Sequence, residues 1–430
     1  MLRRFFMGDE EGQALVFGAL MFLTMLFFVG LAIDAGQLYV AKRTEQEAAD
    51  AASFAGAVVL YQGGVQPPSA VTVTAAILAA KNVAAQNGYV DDLGVGNMVV
   101  TVNSPPTSGT YNGDPNHVEV TITHKVKTSL VPAQAAFNPV RARGVAGAES
   151  FNNGYALMAL DQSCTDGSLA LSPNEDIHLN GGGALINSCS ASAVNGADPS
   201  QDFTITPSTL SVDVVGGVAG SFPGSIHVNT GIAPVPDPFA GVYAKPSTSG
   251  LPVDPPFVSG VAYAGVYTST LNGVNLCGGI YILKGNGMDG DIGRETTGTD
   301  PYTGLACNGR SFIFNTMSNY PLAGGTCDSL GRNGNHPIVL MPMTTGQYAN
   351  FGIWQDAACT ATMQIGGSAN AVDAGGTVYL PSATVHMNGN PATITGGQLI
   401  AKNLDIQNGN LNITYSANTT AQPVVPRLAE

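Results

Sequence analysis

Residues 14–33 read ALVFGALMFLTMLFFVGLAI and contain no ionisable side chain. A helix of this length, at about 1.5 Å rise per residue, extends about 30 Å, which is the thickness of the hydrocarbon core of a bilayer. A helix also satisfies all of its own backbone hydrogen-bonding groups, as a chain in lipid must. The segment therefore predicts a helix that spans a membrane, with nearly all of the remaining chain on one side.

The alternative to a retained anchor is a cleaved secretory signal. Such signals have a shorter apolar core that ends at a cleavage site of small residues. In this chain the apolar run is longer, and the acidic residues 9–11 dilute the basic start formed by Arg3 and Arg4. We therefore expect the helix to be retained, with residues 1–12 in the cytoplasm.

The six cysteines favour an extracytoplasmic location for the bulk of the chain. Basic residues before and after the apolar run nearly balance, so they do not decide its orientation. None of the cysteines forms a C-x-x-C pair, the spacing typical of zinc sites, and an even number at wide spacing fits disulfides in an oxidising compartment. Unpaired buried thiols are the alternative. We expect Cys164 to pair with Cys189, and the remaining four to pair among themselves: Cys277, Cys307, Cys327 and Cys359.

The composition excludes some classes of function. The net charge is −14, whereas nucleic-acid binding needs a basic face. Charged residues make up 11% of the chain, against about 25% in ordinary soluble domains. The 54 glycines favour a turn-rich, β-rich protein of the extracellular kind.

The helix is expected to continue beyond the membrane. Residues 34–60 contain no proline and are rich in helix-forming residues. Ala48, Ala52 and Gly56 form a stripe of small residues that allows another element to approach closely. Spacing alone leaves two interpretations open: the stem lies on its own downstream domain, or it packs against copies or relatives of itself.

Three elements in this region occur in a distinctive order: EGQALV at 11–16, LAIDAGQLY at 31–39 and QEAADAASFAGA at 46–57. Together they resemble the N-terminal segment of TadE/TadG-like proteins, which belong to the tight-adherence (Tad/Flp) pilus-assembly systems of bacteria. The resemblance implies a single-pass protein of the bacterial inner membrane, with its C-terminal bulk in the periplasm or at the cell surface. It also implies that the protein works with other pilus-assembly proteins or pilins, and is compatible with self-association through the stem helix.

The chain departs from this family in its processing site. Pilin-like members are cut after a glycine that has a glutamate five residues further on. Here the corresponding residue is Phe17 after Gly12, or Gln13 after Gly8. We therefore expect the N-terminus to remain uncleaved.

A second departure concerns the von Willebrand A domain that many TadG proteins carry, with its D-x-S-x-S metal site. The nearest string here is DQSCT at residues 161–165. The alternation of strands and long helices that this fold requires does not follow it. We therefore expect a turn at the end of a strand, and an ectodomain without an A domain. GIYIL at 279–283 and GTVYLP at 376–381 are more weakly similar to ectodomains of this kind.

Periodicity divides the rest of the chain into two regions. Residues 61–150 predict a small α+β domain, with a helix over 70–87 and strands over 98–102, 117–126 and 141–148. Residues 151–430 show short apolar pieces separated by turn residues, which favours a mainly β ectodomain. Steps of about seven residues within 377–415 predict a parallel β-helix, with a two-sheet jelly roll as the alternative. The proline-rich residues 234–257 predict a surface loop or an internal linker.

The sequence contains few candidates for chemistry. Asp289, Asp291 and Asp300 are weak calcium ligands, because their spacing does not fit an EF-hand and a solvated loop explains them. Tyr348 and Trp354 are expected in the core rather than at a sugar-binding surface. We expect no catalytic residues, no cofactor and no metal.

These observations predict a membrane-anchored structural component of pilus assembly or surface attachment. A membrane-tethered, polysaccharide-active enzyme on a β-helix and a non-catalytic adhesin remain as alternatives.

Overall fold

The computed structural model describes residues 10–62, 68–92, 96–128, 137–150, 154–172, 175–331, 337–366, 372–388, 392–422 and 424–429. The chain forms two compact units. The first consists of Met1–Ser150 together with Val424–Glu430, and the second is Phe151–Pro423.

The first unit contains both helices. Helix α1 (Glu10–Gln62) is continuous over 53 residues, which confirms that the apolar segment and the stem form one helix. Helix α2 (Ala70–Gln86) confirms the second predicted helix. It is capped by Ser69, whose Oγ accepts a hydrogen bond of 3.2 Å from the backbone N–H of Thr72.

An antiparallel sheet completes the first unit. Its strands, in spatial order, are β1 (Met98–Asn103), β2 (His117–Lys127), β3 (Phe137–Ser150) and the last strand of the chain, β25 (Val424–Leu428). The sequence predicted that the β-rich ectodomain continues to residue 430. Instead, β25 pairs with β3, so the C-terminal strand belongs to the first unit.

The second unit consists of parallel strands stacked in three ladders. Strands β22 (Val372–Asn388) and β23 (Ala392–Gln407) are long and pass through all three ladders. The other strands of the first ladder are β4 (Tyr155–Ala159), β7 (Gly183–Ile186), β10 (Ser211–Val214), β12 (His227–Thr230), β14 (Gly265–Tyr267), β16 (Gly279–Lys284), β18 (Ser311–Thr316) and β20 (Phe351–Gln355).

The remaining strands form the other two ladders. The second ladder adds β5 (Leu169–Leu171), β8 (Val194–Ala197), β11 (Val218–Gly220) and β21 (Met363–Gly366). The third ladder adds β6 (Asp176–Asn180), β9 (Asp202–Thr206), β13 (Val261–Ala262), β15 (Leu271–Leu276), β17 (Met288–Arg294), β19 (Ile338–Leu340) and β24 (Asn410–Thr414).

All three ladders contribute side chains to one hydrophobic core. Leu157 of the first ladder, Leu169 of the second and Ile177 of the third lie in the same buried cluster. Each lies beside a leucine of the neighbouring strand in its ladder, β23 or β24, because the parallel register places equivalent positions side by side. Every pairing between the named strands of this unit is parallel, whereas a jelly roll is built from antiparallel strands.

The order of the strands shows how the chain runs through the first ladder. It enters in the middle at β4, which pairs with both β7 and β23. It then proceeds through β7 and β10 to β12 at one end. Residues 231–260 connect this end to β13 and β14 at the other end, and from there the chain returns to β23. The proline-rich residues 234–257, which we call the strap, lie within this connection.

Candidate functional site

The N-terminal part of α1 exposes an apolar surface. Leu15 and Met21 are 75% and 76% exposed, and the apolar window of the helix has a mean hydropathy of 2.5 with none of it buried inside the protein. The core helix of a soluble domain would be covered by other elements. This segment is long and apolar enough to cross a membrane, and lipid would supply the apolar surroundings that the rest of the chain does not.

The stem part of α1 packs on its own unit through small residues. Ala49 and Ala52 are completely buried, within a cluster that includes residues of α2, β1, β2 and β3. A Cβ on Gly144 of β3 would lie only 2.7 Å from the backbone carbon and oxygen of Ala49. Gly56 is also closely packed, since its Cβ would lie 3.0 Å from a methyl group of Val118. The small-residue stripe is therefore covered by the domain that follows the stem.

Polar contacts fix the position of the stem along β3. The Nζ of Lys42 donates to the backbone oxygen of Arg141, and the Nε2 of Gln46 donates to that of Arg143 at 2.7 Å. The Nε of Arg143 in turn donates to Glu119 Oε1 at 2.6 Å. Because alternate carbonyl groups of one strand are used, these bonds specify the register of the helix on the sheet.

Glu119 supports this contact as a buried anion. Burial alone would raise the pKa of its carboxyl group. Donors from the backbone and side chain of Thr107, from Arg143 and from Ser108 outweigh burial and hold the pKa far below its usual range. Glu119 is therefore ionised throughout the physiological range, and its ion pair with Arg143 holds that side chain against β2.

Glu45 is a second buried acid in this contact, but unlike Glu119 it lies on the stem. It is about 18 Å along the helix from Ile33, at 1.5 Å per residue. Its carboxyl oxygens are buried and accept no hydrogen bond from the described residues, although Oε1 lies 3.3 Å from the Nδ1 of His124. Burial raises the pKa of Glu45 to about 7, with the charge of Lys42 acting in the opposite direction. The contact between stem and sheet therefore contains a carboxyl group that titrates near neutral pH.

The strap forms a second buried contact, within the second unit. Most residues of the strap are exposed or half-buried, but Phe239 is only 3% exposed and packs edge-on against Phe351 and Tyr379 at ring-centroid distances of 5.2 Å. These rings lie in a cluster separate from the core that the ladders share. The first ladder is therefore buried on both faces: Ile313 contributes to the shared core, while Phe312 contributes to the cluster under the strap.

Tyrosine hydroxyl groups of the ladder side hold the strap. Tyr379 donates to Asp237 Oδ2 at 2.7 Å. Tyr348 donates to the backbone oxygen of Ala244 at 2.9 Å, and Tyr320 to that of Pro246 at 2.6 Å. Burial raises the pKa of Tyr348 to about 12, so its phenol remains a donor at physiological pH. Each aromatic side chain thus provides both apolar area and one directed bond.

An ion pair between a half-exposed lysine and a buried aspartate anchors the middle of the strap. The Nζ of Lys245 contacts Asp356 Oδ1 at 2.7 Å and Oδ2 at 2.9 Å. Thr316 Oγ1 and the backbone N–H of Ala358 also donate to this carboxylate, which is 2% exposed. Burial alone would raise the pKa of Asp356, but these donors together hold it below its usual value.

The D-x-S-x-T string forms a turn just beyond β4. Asp161 Oδ1 accepts hydrogen bonds from the backbone N–H and the hydroxyl of Ser163, at 3.0 and 2.5 Å. Ser163 and Thr165 then share a further hydroxyl bond of 3.0 Å. One carboxylate oxygen of Asp161 and the hydroxyls of Ser163 and Thr165 thus bond to one another in a local turn, as expected for a strand end.

The acidic calcium candidates are not brought together as one site. Met288, Gly290 and Ile292 are buried and alternate with Asp289 and Asp291, so this segment is the strand β17. The expectation of a solvated loop was wrong at this point, because the alternation of buried and outward positions is that of a strand.

Asp300 lies beyond the end of this strand. Its Oδ1 accepts from the backbone N–H of Tyr302 and its Oδ2 from the hydroxyl of Thr303, both at 2.8 Å. Across the described residues, no three His, Cys, Asp or Glu side chains form a group that could hold a metal ion.

The cysteines lie in three disulfides. Their pairs are Cys164–Cys189, Cys277–Cys307 and Cys327–Cys359, all within the second unit. Each closes a short segment of chain, with separations of 25, 30 and 32 residues. The predicted core position of the aromatic side chains also holds, since Tyr348 and Trp354 are 7% and 6% exposed.

Sequence reasoning missed two features of these contacts. It did not find the partner of the strap, although the aromatic spacing within FAGVY at 239–243 was a signal for a buried face. It also did not identify Glu45 as buried, although this acid follows Leu38 and Ala41 at helical spacing on the side that faces the sheet.

Comparison with known protein families gives a match in the N-terminal segment. The family model described as Flp pilus-assembly TadE/G-like (Tad) matches residues 12–59. The matched range covers the exposed apolar part of α1 and nearly all of its docked stem. Neither the curated proteins nor the solved structures gave a match. The N-terminal segment of this chain, residues 12–59, is therefore TadE/G-like.

Proposed function

We propose that this chain is a membrane-anchored, extracytoplasmic structural component of a Tad/Flp-type pilus-assembly or surface-attachment system. The observation that carries the proposal is the coincidence of the family match with one helix, α1, that is uncovered and apolar at one end and docked on its own domain at the other. Such a helix joins a membrane to a folded domain without a flexible linker. The family is generally structural rather than catalytic, which supports a structural role here.

We infer that the anchor lies in the bacterial inner membrane, with an uncleaved N-terminus in the cytoplasm and the chain beyond the anchor on the periplasmic or surface side. The three disulfides support this orientation, because disulfides persist in oxidising compartments.

We also infer that the second unit is a parallel β-helix. The two long strands β22 and β23 support this, because each contributes to three ladders whose inward side chains share one core. Such a unit would present a stiff surface to a partner.

We infer that contacts with other pilus proteins or with further copies use the uncovered side of the stem. Tyr39 and Val40 are 71% and 60% exposed, whereas Ala48 is buried against its own unit. Val40→Cys should then be cross-linked in membranes of cells that assemble pili. Ala48→Cys is the matched control and should remain uncross-linked.

Gene deletion with complementation tests the functional proposal. Cells that lack this chain should lose assembled pili or surface attachment, and the full chain should restore them. A variant with Leu20 and Phe27 both changed to Arg should fail, since charges at the centre of a span are costly. The same two changes made at exposed positions outside the anchor, Val71 and Leu78, should restore function. Normal piliation and attachment without the gene would overturn the proposal.

A further inference from the structure

A small cleft, with several polar side chains in its walls, lies in the second unit beside the segment that joins β17 to β18. Its volume is about 230 Å³, below the lower end of the roughly 300–1,000 Å³ typical of pockets for drug-sized ligands. It therefore has room for one ring-sized molecule. The polar side chains that line it are Asp300, Thr303, Asn308, Arg310, Thr344 and Thr345.

The walls of this cleft are held by bonds on several sides. The disulfide Cys277–Cys307 joins the turn between β15 and β16 to the segment that carries the polar side chains. An antiparallel bridge between Thr299 and Ala306 closes the loop around Asp300. Asn308 Oδ1 accepts a hydrogen bond of 2.9 Å from the backbone N–H of Arg310, which leaves the amide N–H₂ of Asn308 unbonded among the described residues. The cleft is therefore largely pre-formed, as specific binding sites usually are.

Arg310 is the distinctive group of the cleft. Its side chain is partly buried, and its Nη1 donates one hydrogen bond of 3.2 Å, to the backbone oxygen of Pro342. No carboxylate of the described residues lies within ion-pair distance of it, whereas Arg143 in the first unit is paired with Glu119. A guanidinium group has five N–H donors in a planar fork that matches a carboxylate. A partly desolvated cation with unused donors is a binding group for an anion.

The other polar groups of the cleft suit hydroxyl groups. Asp300 is 7% exposed, and donors from its own turn hold both carboxylate oxygens in place. A carboxylate can accept further hydrogen bonds, and the amide of Asn308 and the threonine hydroxyls can donate. We propose that the cleft binds an acidic sugar, with the sugar carboxylate on Arg310 and its hydroxyls on Asp300 and Asn308. The ligand is either a free sugar acid or the acidic residue of a longer glycan.

The same set of polar side chains supports binding of a sugar without its hydrolysis. Glycoside hydrolysis generally uses a pair of carboxyl groups on either side of the scissile bond. Among the residues that line this cleft, Asp300 is the one carboxylate, and its oxygens are engaged in its own turn.

Titration calorimetry on the full chain in detergent tests this proposal. The probes are glucuronate, galacturonate and an oligosaccharide of galacturonate, with glucose as the neutral control. Acidic sugars should bind saturably, at least tenfold more tightly than glucose. Arg310→Gln should weaken this binding at least tenfold. Arg294→Gln is the matched control, because Arg294 donates one bond to the backbone oxygen of Gly309 but does not line the cleft, and its affinity should not change.

Thr344→Trp provides a second variant, at an exposed position on the rim of the cleft. It should block binding while leaving the melting temperature unchanged, so the test does not depend on the folding of the arginine variant. Tighter binding of the oligosaccharide than of the monosaccharide identifies a glycan as the ligand, and equal binding identifies the free sugar acid. The proposal is overturned if no acidic sugar binds, if glucose binds equally well, or if both cleft variants retain full affinity.

Discussion

The ion pair under the strap offers a direct test of how the second unit is held together. Replacing Lys245 with Met removes the charge that faces Asp356 while keeping most of the apolar length of the side chain. Asp356 then remains buried, with only the donors from Thr316 and Ala358. We expect the strap to open more often, because a buried anion without its counter-ion is more stable when it is exposed to water.

The size of the effect follows from the burial of the two partners. Breaking a fully buried pair by removing one partner costs about 3–5 kcal/mol. The Lys245 side chain is 47% exposed, so solvent already screens part of the attraction. With two donors remaining on Asp356, a cost of about 2 kcal/mol is reasonable. A difference of this size corresponds to a roughly 30-fold increase in the population of the open strap.

Native-state proteolysis measures that population. Chymotrypsin should cut after Phe239 or Tyr243 only when the strap opens, and mass spectrometry can follow these two cuts separately from others. The cutting rate in Lys245→Met should rise about 30-fold, since cleavage follows the open population when closing is fast. Lys284→Met is the control, because Lys284 lies at the end of β16 and outside the strap, and its rate should match that of the unaltered protein.

A double variant separates loss of the pair from loss of packing. In Lys245→Met with Asp356→Asn, the buried charge is also removed, so the combined cost should be less than the sum of the two single costs by about 1–2 kcal/mol. The pKa of Asp356 is lowered in the folded chain, so its contribution exists above the unfolded value of 3.8 and is lost as the pH falls through the folded value. An unchanged cutting rate in Lys245→Met, or strictly additive costs, would refute this reasoning.

Three further predictions concern the stem and the disulfides. Gly144→Val should destabilise the first unit by about 3 kcal/mol in chemical denaturation, since its side chain would meet the backbone of α1. Gly36→Ala is the control at an open helical position and should be neutral or slightly stabilising. Equal effects of the two changes would contradict the close approach of α1 to β3. Because the pKa of Glu45 is raised from 4.5 to about 7, the folded chain keeps a proton that the unfolded chain loses between these pH values. The free energy of unfolding should therefore fall as the pH rises through this interval. Denaturation curves of Glu45→Gln should no longer show this dependence of stability on pH. A slope that persists in Glu45→Gln would assign it to another group. Replacing Cys164 and Cys189 with Ser should cost the second unit about 3 kcal/mol, as expected for a closed loop of 25 residues, and alkylation of the unreduced native chain should add no mass.

Local sequence signals determined the elements that need no distant partner. The length of the apolar run at 14–33 and its lack of charged residues can be read from the sequence. They predicted a helix because a membrane-spanning helix satisfies its own backbone hydrogen-bonding groups. Helix α2 and strands β1 and β2 followed from hydrophobic periodicity in the same way. The preferred pairing of Cys164 with Cys189 also needed only proximity in sequence.

Only the tertiary structure determined which residues pack against each buried surface. Periodicity shows that a helix face or a strand is apolar. It does not show which other residues cover that surface, because the packing partner can lie anywhere along the chain. The stem packs on Gly144 of β3, and Phe239 of the strap packs on the rings of Phe351 and Tyr379, more than a hundred residues further on. Lys245 and Asp356, 111 residues apart, become one ion pair only after the parallel ladders have brought the two segments together.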